Sequence, residues 1–172
     1  MKNILLLASL LLLAACTGKP QGIEPVADFQ AEKYLGRWYE IARLDHRFER
    51  GLENITAHYS LREDGGIRVK NRGFHQQDGE WKEAEAKAYF VGQRDVAHLK
   101  VSFFGPFYSS YIVFALDDDY QHALVTSSKK KYLWILSRSP EMDKTTLDAL
   151  REKARSLGFA VDKLIYVDHR QQ

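Results

Sequence analysis

One cysteine, Cys16, is all the thiol that this 172-residue sequence contains. An internal disulfide is therefore excluded, and the fold must hold by burial alone. Long hydrophobic runs are also missing. The longest, from Ile4 to Ala15, is about a dozen residues, short of the ~20 that span a bilayer as a helix. Charge of one sign is scarce: 25 Lys+Arg stand against 23 Asp+Glu, a formal net charge of +2. No basic face suited to nucleic acid is implied. Catalytic signatures are absent too. There is no Gly-x-Ser-x-Gly elbow. His46, His58, His75, His98, His122 and His169 are scattered, with no His-Glu-x-x-His pair that would suit a metal. Glu83 and Glu85 share a strand face and read most simply as solvent-facing. The sequence thus offers no catalytic residue, no cofactor motif and no metal set, and the expectation is a non-enzyme.

The N-terminus is informative. Lys2, the apolar run and the small residues Leu13-Ala14-Ala15 have the layout of a secretory signal. Small residues directly before Cys16 resemble the lipobox of bacterial lipoproteins. That resemblance implies cleavage after residue 15. It also implies acyl chains on Cys16, an S-diacylglycerol on sulfur and an N-palmitoyl group on the amine. Stable anchoring needs more than one chain, which multiple acylation provides. Thr17, rather than aspartate, follows the cysteine and resembles an outer-membrane address. The expected division is a signal peptide 1–15, a flexible lipidated tether 16–27 containing Gly18, Pro20, Gly22 and Pro25, and one domain 28–172. About 157 mature residues suit one domain with one sizeable core.

After a short helical turn around Phe29–Leu35, alternating apolar runs follow at Trp38–Arg43, Ile55–Leu61, Ile67–Phe74, Trp81–Phe90, Ala97–Phe104, Tyr108–Leu116, His122–Ser127 and Tyr132–Ser137. Polar turns such as Asp64-Gly65 and Asp78-Gly79 separate them, a hairpin signal. Eight hairpin-linked strands either expose two edges or close, and closure removes the edges. The expected fold class is all-β: an eight-stranded antiparallel up-and-down barrel whose interior suits side chains or one small ligand. Leu147, Leu150, Ala154 and Leu157 form an apolar stripe on a helix with Asp143 as N-cap and Gly158 as stop. That helix should pack outside the barrel, and a short final strand near Lys163–Val167 should pair with a sheet edge.

Three motifs stand in order: Gly36-Arg37-Trp38-Tyr39, Asp118-Asp119-Tyr120, and Arg138 after Tyr132-Leu133-Trp134-Ile135-Leu136-Ser137. In order and spacing they resemble the motifs of the lipocalin family. The likeness extends over essentially the whole mature chain and is strongest to the family's bacterial outer-membrane lipoproteins. It implies a barrel floor of Gly36, Trp38 and Arg138, with the guanidinium across the indole, a structural role. It further implies a fatty acid or lysophospholipid ligand, held by a protein lipid-anchored in the outer membrane on the periplasmic side. Both a monomer and a homodimer are compatible with it.

Strict alternation from Arg138 turns Leu136, Trp134 and Tyr132 inward, which makes Trp134 the first pocket candidate. On the sixth strand, parity allows Tyr111 with Val113, or Ser110 with Ile112 and Phe114. Tyr111 is favoured because its ring offers apolar area and its hydroxyl a polar handle. Phe103, Tyr89 and the small Ala42 complete the expected ligand-lining set. Arg43, Arg47 and Arg50, near the long 44–54 connection, either meet an anionic head group or are solvated. A side-chain-filled barrel acting as an envelope structural protein is the main alternative function, and a lipid-modifying enzyme a weaker one.

Overall fold

The computed structural model describes residues 17–170. The signal segment 1–15 and Cys16 lie outside the described residues. Nine strands form: β1 (Gly36–Arg43), β2 (Leu52–Leu61), β3 (Ile67–His75), β4 (Glu80–Phe90), β5 (His98–Phe104), β6 (Phe107–Leu116), β7 (His122–Thr126), β8 (Leu133–Ser137) and β9 (Ile165–Tyr166). Among the described residues two α-helices accompany them, α1 (Ala31–Tyr34) and α2 (Lys144–Ser156). Neighbouring strands β1 to β8 are all antiparallel, and β1 pairs with both β2 and β8, so the sheet closes on itself. The β2–β3 turn shows why the sequence turns there. Gly65 takes φ +81°, which an L side chain resists, while Asp64 Oδ1 accepts from Gly66 N at 3.0 Å.

The closure is shared unevenly. β1 pairs with β2 only from Gly36 to Tyr39. Above that point β9 fills the gap, with Ala42 opposite Tyr166 and Arg43 opposite Ile165. Val167 N donates to Ile41 O at 3.0 Å, and Asn54 N donates to Asp168 O at 2.8 Å, so the C-terminal tail stitches β1 to β2.

Two apolar layers result. One fills the lumen and includes Phe29, Tyr34, Trp38, Tyr59, Val69, Leu99, Val113 and Leu136. The other lies outside, where α2 covers β6–β8 and β1 through Leu147, Leu150, Ala154 and Leu157, against Ile112, Phe114, Leu124 and Ile135. Asp143 caps α2, accepting from Thr146 N at 2.9 Å. None of the described helices is long and apolar enough to cross a membrane.

The N-terminal segment departs from expectation. Residues 17–27 lie along the outer wall instead of hanging free. Gly18 O accepts from Ser110 Oγ at 2.7 Å, and Val26 N donates to Val113 O at 2.9 Å. Ile23 is the physical reason. It is fully buried in the outer layer, and burying such a side chain is worth about 1.5–3 kcal/mol.

Candidate functional site

The barrel has a closed end and an open end. At the closed end, Trp38 Nε1 donates to Tyr34 O at 2.8 Å, and the ring is fully buried. The Arg138 guanidinium carbon lies 4.0 Å from the Trp38 ring centroid. Its nitrogens donate to the carbonyls of Arg37, Lys33 and Tyr120 at 2.8, 2.7 and 3.2 Å. Gly36, at φ +92°, passes so close that a Cβ there would lie 3.4 Å from Arg138 Nη1. Tyr120 OH accepts from Gln30 N at 2.9 Å, tying the Asp117–Tyr120 turn to the start of α1. These groups plug the floor.

Above the floor stands a tyrosine trio. The Tyr111 hydroxyl lies 2.8 Å from both Tyr34 OH and Tyr59 OH. Burial raises all three phenol pKa values, so each stays neutral and the trio presents a hydrogen-bonded cap rather than a charge. Free space among Phe29, Tyr34, Tyr59, Val69, Leu99 and Tyr111 is about 10 Å³, room for about one water.

Higher still, polar groups converge beneath the open end. Arg43 Nη1 donates to Glu40 Oε1 at 3.0 Å, and Arg43 Nη2 donates to Glu49 O at 2.8 Å. His46 Nε2 lies 2.8 Å from Glu49 Oε2, and Trp134 Nε1 donates to the same oxygen at 3.1 Å. Tyr132 stacks on Trp134 with centroids 6.0 Å apart, and His46 meets the indole edge-on at 5.3 Å. The two carboxylates diverge. Burial, reinforced by the neighbouring Glu49, pushes Glu40 well above its ordinary value. Burial also opposes ionisation of Glu49, but the hydrogen bonds and charges of His46, Trp134 and Arg43 outweigh it and hold Glu49 below its ordinary value.

Of the ligand-lining residues expected from alternation, Trp134 and Tyr111 both pack against the lumen. Ala42 does not. The register of β1 shifts between Glu40 and Ala42, so Arg43 stands beside Trp134 on the inner face while Ala42 turns outward beside Ile135. One bulge residue reverses strand parity. Tyr89 also points outward, because Ala86, Ala88 and Phe90 hold the inner face of β4; its hydroxyl donates to Asp64 Oδ2 at 2.8 Å. Phe103 sits at the lip of the barrel, 42% exposed, above a register shift between Val101 and Phe104. Arg43 is committed to Glu40 and Glu49, and Arg50 pairs with Asp45 at 2.7 Å. Glu83 and Glu85 lie outside, paired with Lys70 and Arg68 at 3.0 and 3.1 Å. Sequence reasoning missed Tyr34, Tyr59, Glu40, His46 and Glu49. Glu40 alone carried a signal, standing two residues after the inward Trp38 on the same strand.

A closed eight-strand barrel with a plugged floor and a helix along its outer wall defines a calyx. The model of the lipocalin-like domain family matches residues 29–169, and the chain belongs to the lipocalin family. It is 51% identical to the outer membrane lipoprotein Blc of Vibrio cholerae over 171 residues, covering 99% of this chain and the whole of that relative. With the Escherichia coli K12 protein of the same name it shares 52% identity over 158 residues, 91% of this chain and 89% of that one. Insecticyanin from the tobacco hornworm Manduca sexta has the same fold, with a TM-score of 0.72 at 22% identity over 90% of this chain and 88% of its own.

Proposed function

We propose that this chain is an outer-membrane lipoprotein, anchored through acylated Cys16 and facing the periplasm, that holds a fatty acid or lysophospholipid in its barrel for envelope lipid storage or transport. It acts by binding and not by catalysis. The observation that carries this reading is the graded lumen. Its wall is apolar and aromatic, and its polar groups, Glu40, Arg43, His46 and Glu49, gather beside Trp134 near the open end. An amphiphile fits such a gradient, chain down and head up. Each buried methylene contributes about 0.8 kcal/mol, so affinity needs few polar contacts. The lipoprotein name of two relatives about half identical in sequence supports the anchor.

The tight space around the tyrosine trio favours one competing reading, a barrel filled by its own side chains. In the lipid reading the acyl chain lies above the trio or displaces inner side chains. Tryptophan fluorescence decides between them, with the mature chain titrated by a lysophospholipid and by a matched fatty acid below their micellar concentrations. Saturable change that disappears in Trp134→Phe is the expected result. No saturable response to either ligand would favour the filled barrel.

A further inference from the structure

The β1–β2 loop, residues 44–51, turns the polar side chains of His46 and Glu49 back into the barrel, while Asp45, Arg47, Phe48 and Arg50 stay exposed. Three nitrogens gather around one oxygen of Glu49. Trp134 Nε1 donates to Oε2 at 3.1 Å, His46 Nε2 lies 2.8 Å from it, and Arg43 Nε lies 3.8 Å from it. Two of the three belong to the barrel wall, Arg43 to β1 and Trp134 to β8. The Glu49 side chain is only 15% exposed. A loop carboxylate thus fills a donor set that the wall has built.

The filling is incomplete. Arg43 is 3% exposed, yet its Nε makes no hydrogen bond, and neither does His46 Nδ1. A buried donor without an acceptor is costly. An oxygen able to approach Arg43 Nε more closely than Glu49 does would relieve that cost.

Glu49 differs in this from Glu40, the other buried acid. Glu40 stands within β1, where pairing with β8 fixes it, and accepts from Arg43 Nη1 at 3.0 Å. Glu49 stands on a turn outside any strand, so its side chain can rotate into water without breaking the sheet. Burial opposes its charge where it sits, and the surrounding donors hold it there. Exchanging its carboxylate for another anionic oxygen keeps the charge of the cluster and sets one group of charge-assisted hydrogen bonds against a like group. Adding an anion beside it would instead bring two like charges into contact. A neutral head group has no such claim on these donors.

We propose that Glu49 is an internal stand-in for the ligand's head: an anionic oxygen of a single-chain lipid, carboxylate or phosphate, displaces the Glu49 carboxylate from Trp134, His46 and Arg43. The loop keeps its backbone tie, Glu49 O to Arg43 Nη2, but loses its link to Trp134 and loosens. This rests on the lipid-binding reading above and makes that site selective for anionic over neutral heads. The test titrates the full mature chain by calorimetry with laurate, lauroyl lysophosphatidylethanolamine and dodecanol below their micellar concentrations. In parallel, trypsin cleavage after the exposed Arg47 and Arg50 is followed by mass spectrometry. Laurate, the lysophospholipid or both should speed that cleavage several-fold, and dodecanol should not. A response to laurate alone supports a carboxylate as the displacing group, and one to the lysophospholipid alone supports a phosphate. Glu49→Ala should be cut at the fast rate without ligand and bind the displacing lipid about tenfold more tightly than wild type, with little change for dodecanol. Glu49→Asp keeps the charge but shortens its reach; it should move the same way, and it carries the comparison if the alanine variant does not fold. A gain in Glu49→Ala without one in Glu49→Asp reduces the effect to long-range charge and overturns the displacement. Binding without faster cleavage, or equal gains for laurate and dodecanol, also overturns it and leaves the lipid carrier standing. No binding of any of the three lipids overturns the lipid reading and the stand-in with it.

Discussion

The two ends of this barrel use the same ingredients, an arginine and an indole, to opposite effect. At the floor, Arg138 lies over Trp38 and is held by three backbone carbonyls. Near the mouth, Arg43 stands beside Trp134 on the next strand and is held by Glu40 and Glu49. Carbonyls do not titrate, whereas carboxylates do. The floor is thus a fixed plug whose geometry is insensitive to pH. The mouth is a charge cluster that protonation can rearrange. Stability belongs to one end and adaptability to the other.

The sharpest way to break this contrast is Trp38→Ala. Truncating a fully buried tryptophan costs about 3–5 kcal/mol, equivalent to a fall in Tm of roughly 10 °C for a domain of this size. A melt matching that of the wild type would show that the floor does not carry the fold. Tyr111→Phe comes next. It removes the hydroxyl shared by Tyr34 and Tyr59, and leaving buried hydroxyls short of a partner costs about 1–3 kcal/mol. A stability equal to wild type in chemical denaturation would mean that the trio is no structural cap.

Trp134→Ala tests the other end. Its indole is only partly buried, so the expected loss is in lipid affinity, about tenfold or 1.4 kcal/mol, with a smaller change in Tm. Unchanged affinity by calorimetry would remove Trp134 from the binding wall. The smallest effect is the pH dependence of Glu49→Gln. The folded pKa of Glu49 lies below the ordinary 4.5, so its stabilisation is complete above that value and is lost as pH falls through the folded pKa. Glu40, raised on folding, has the opposite sign: its contribution is greatest at low pH and declines as pH rises. Melts from neutral to acid pH should therefore fall less steeply in Glu49→Gln than in wild type. Parallel curves would show that the mouth does not titrate as proposed.

The floor was far more legible in the sequence than the mouth. Gly36, Trp38 and Arg138 stand in short fixed spacings at strand ends, where the backbone leaves one place for each. The strands and α2 followed from alternation, the Asp-Gly turns and the Asp143 cap. Lumen facing was less legible because it depends on register. Trp134 and Tyr111 lie on stretches where period two holds. Ala42 and Phe103 fall at register shifts, and a bulge leaves no mark in composition. On β4 the period was intact, but alanines rather than the larger tyrosine mark the inner face. Glu40, His46 and Glu49 were hidden differently. A loop residue reaches the lumen only through tertiary packing, and a buried acid looks like a surface acid until its partner is known.

The stitch between β1, β2 and the C-terminal tail bears on how the chain comes to be made. The first strand of the barrel completes its wall with residues 165–168, far along the chain from it. Contacts so distant in sequence form late and slowly. Before these residues are made, the emerging strands can pair as hairpins but cannot seal their seam. The nascent protein therefore passes through a stage with an open flank and exposed inner aromatics, the kind of surface that holding chaperones recognise. Changes that weaken the pairing of residues 165–168 should thus act on yield before they act on the finished fold.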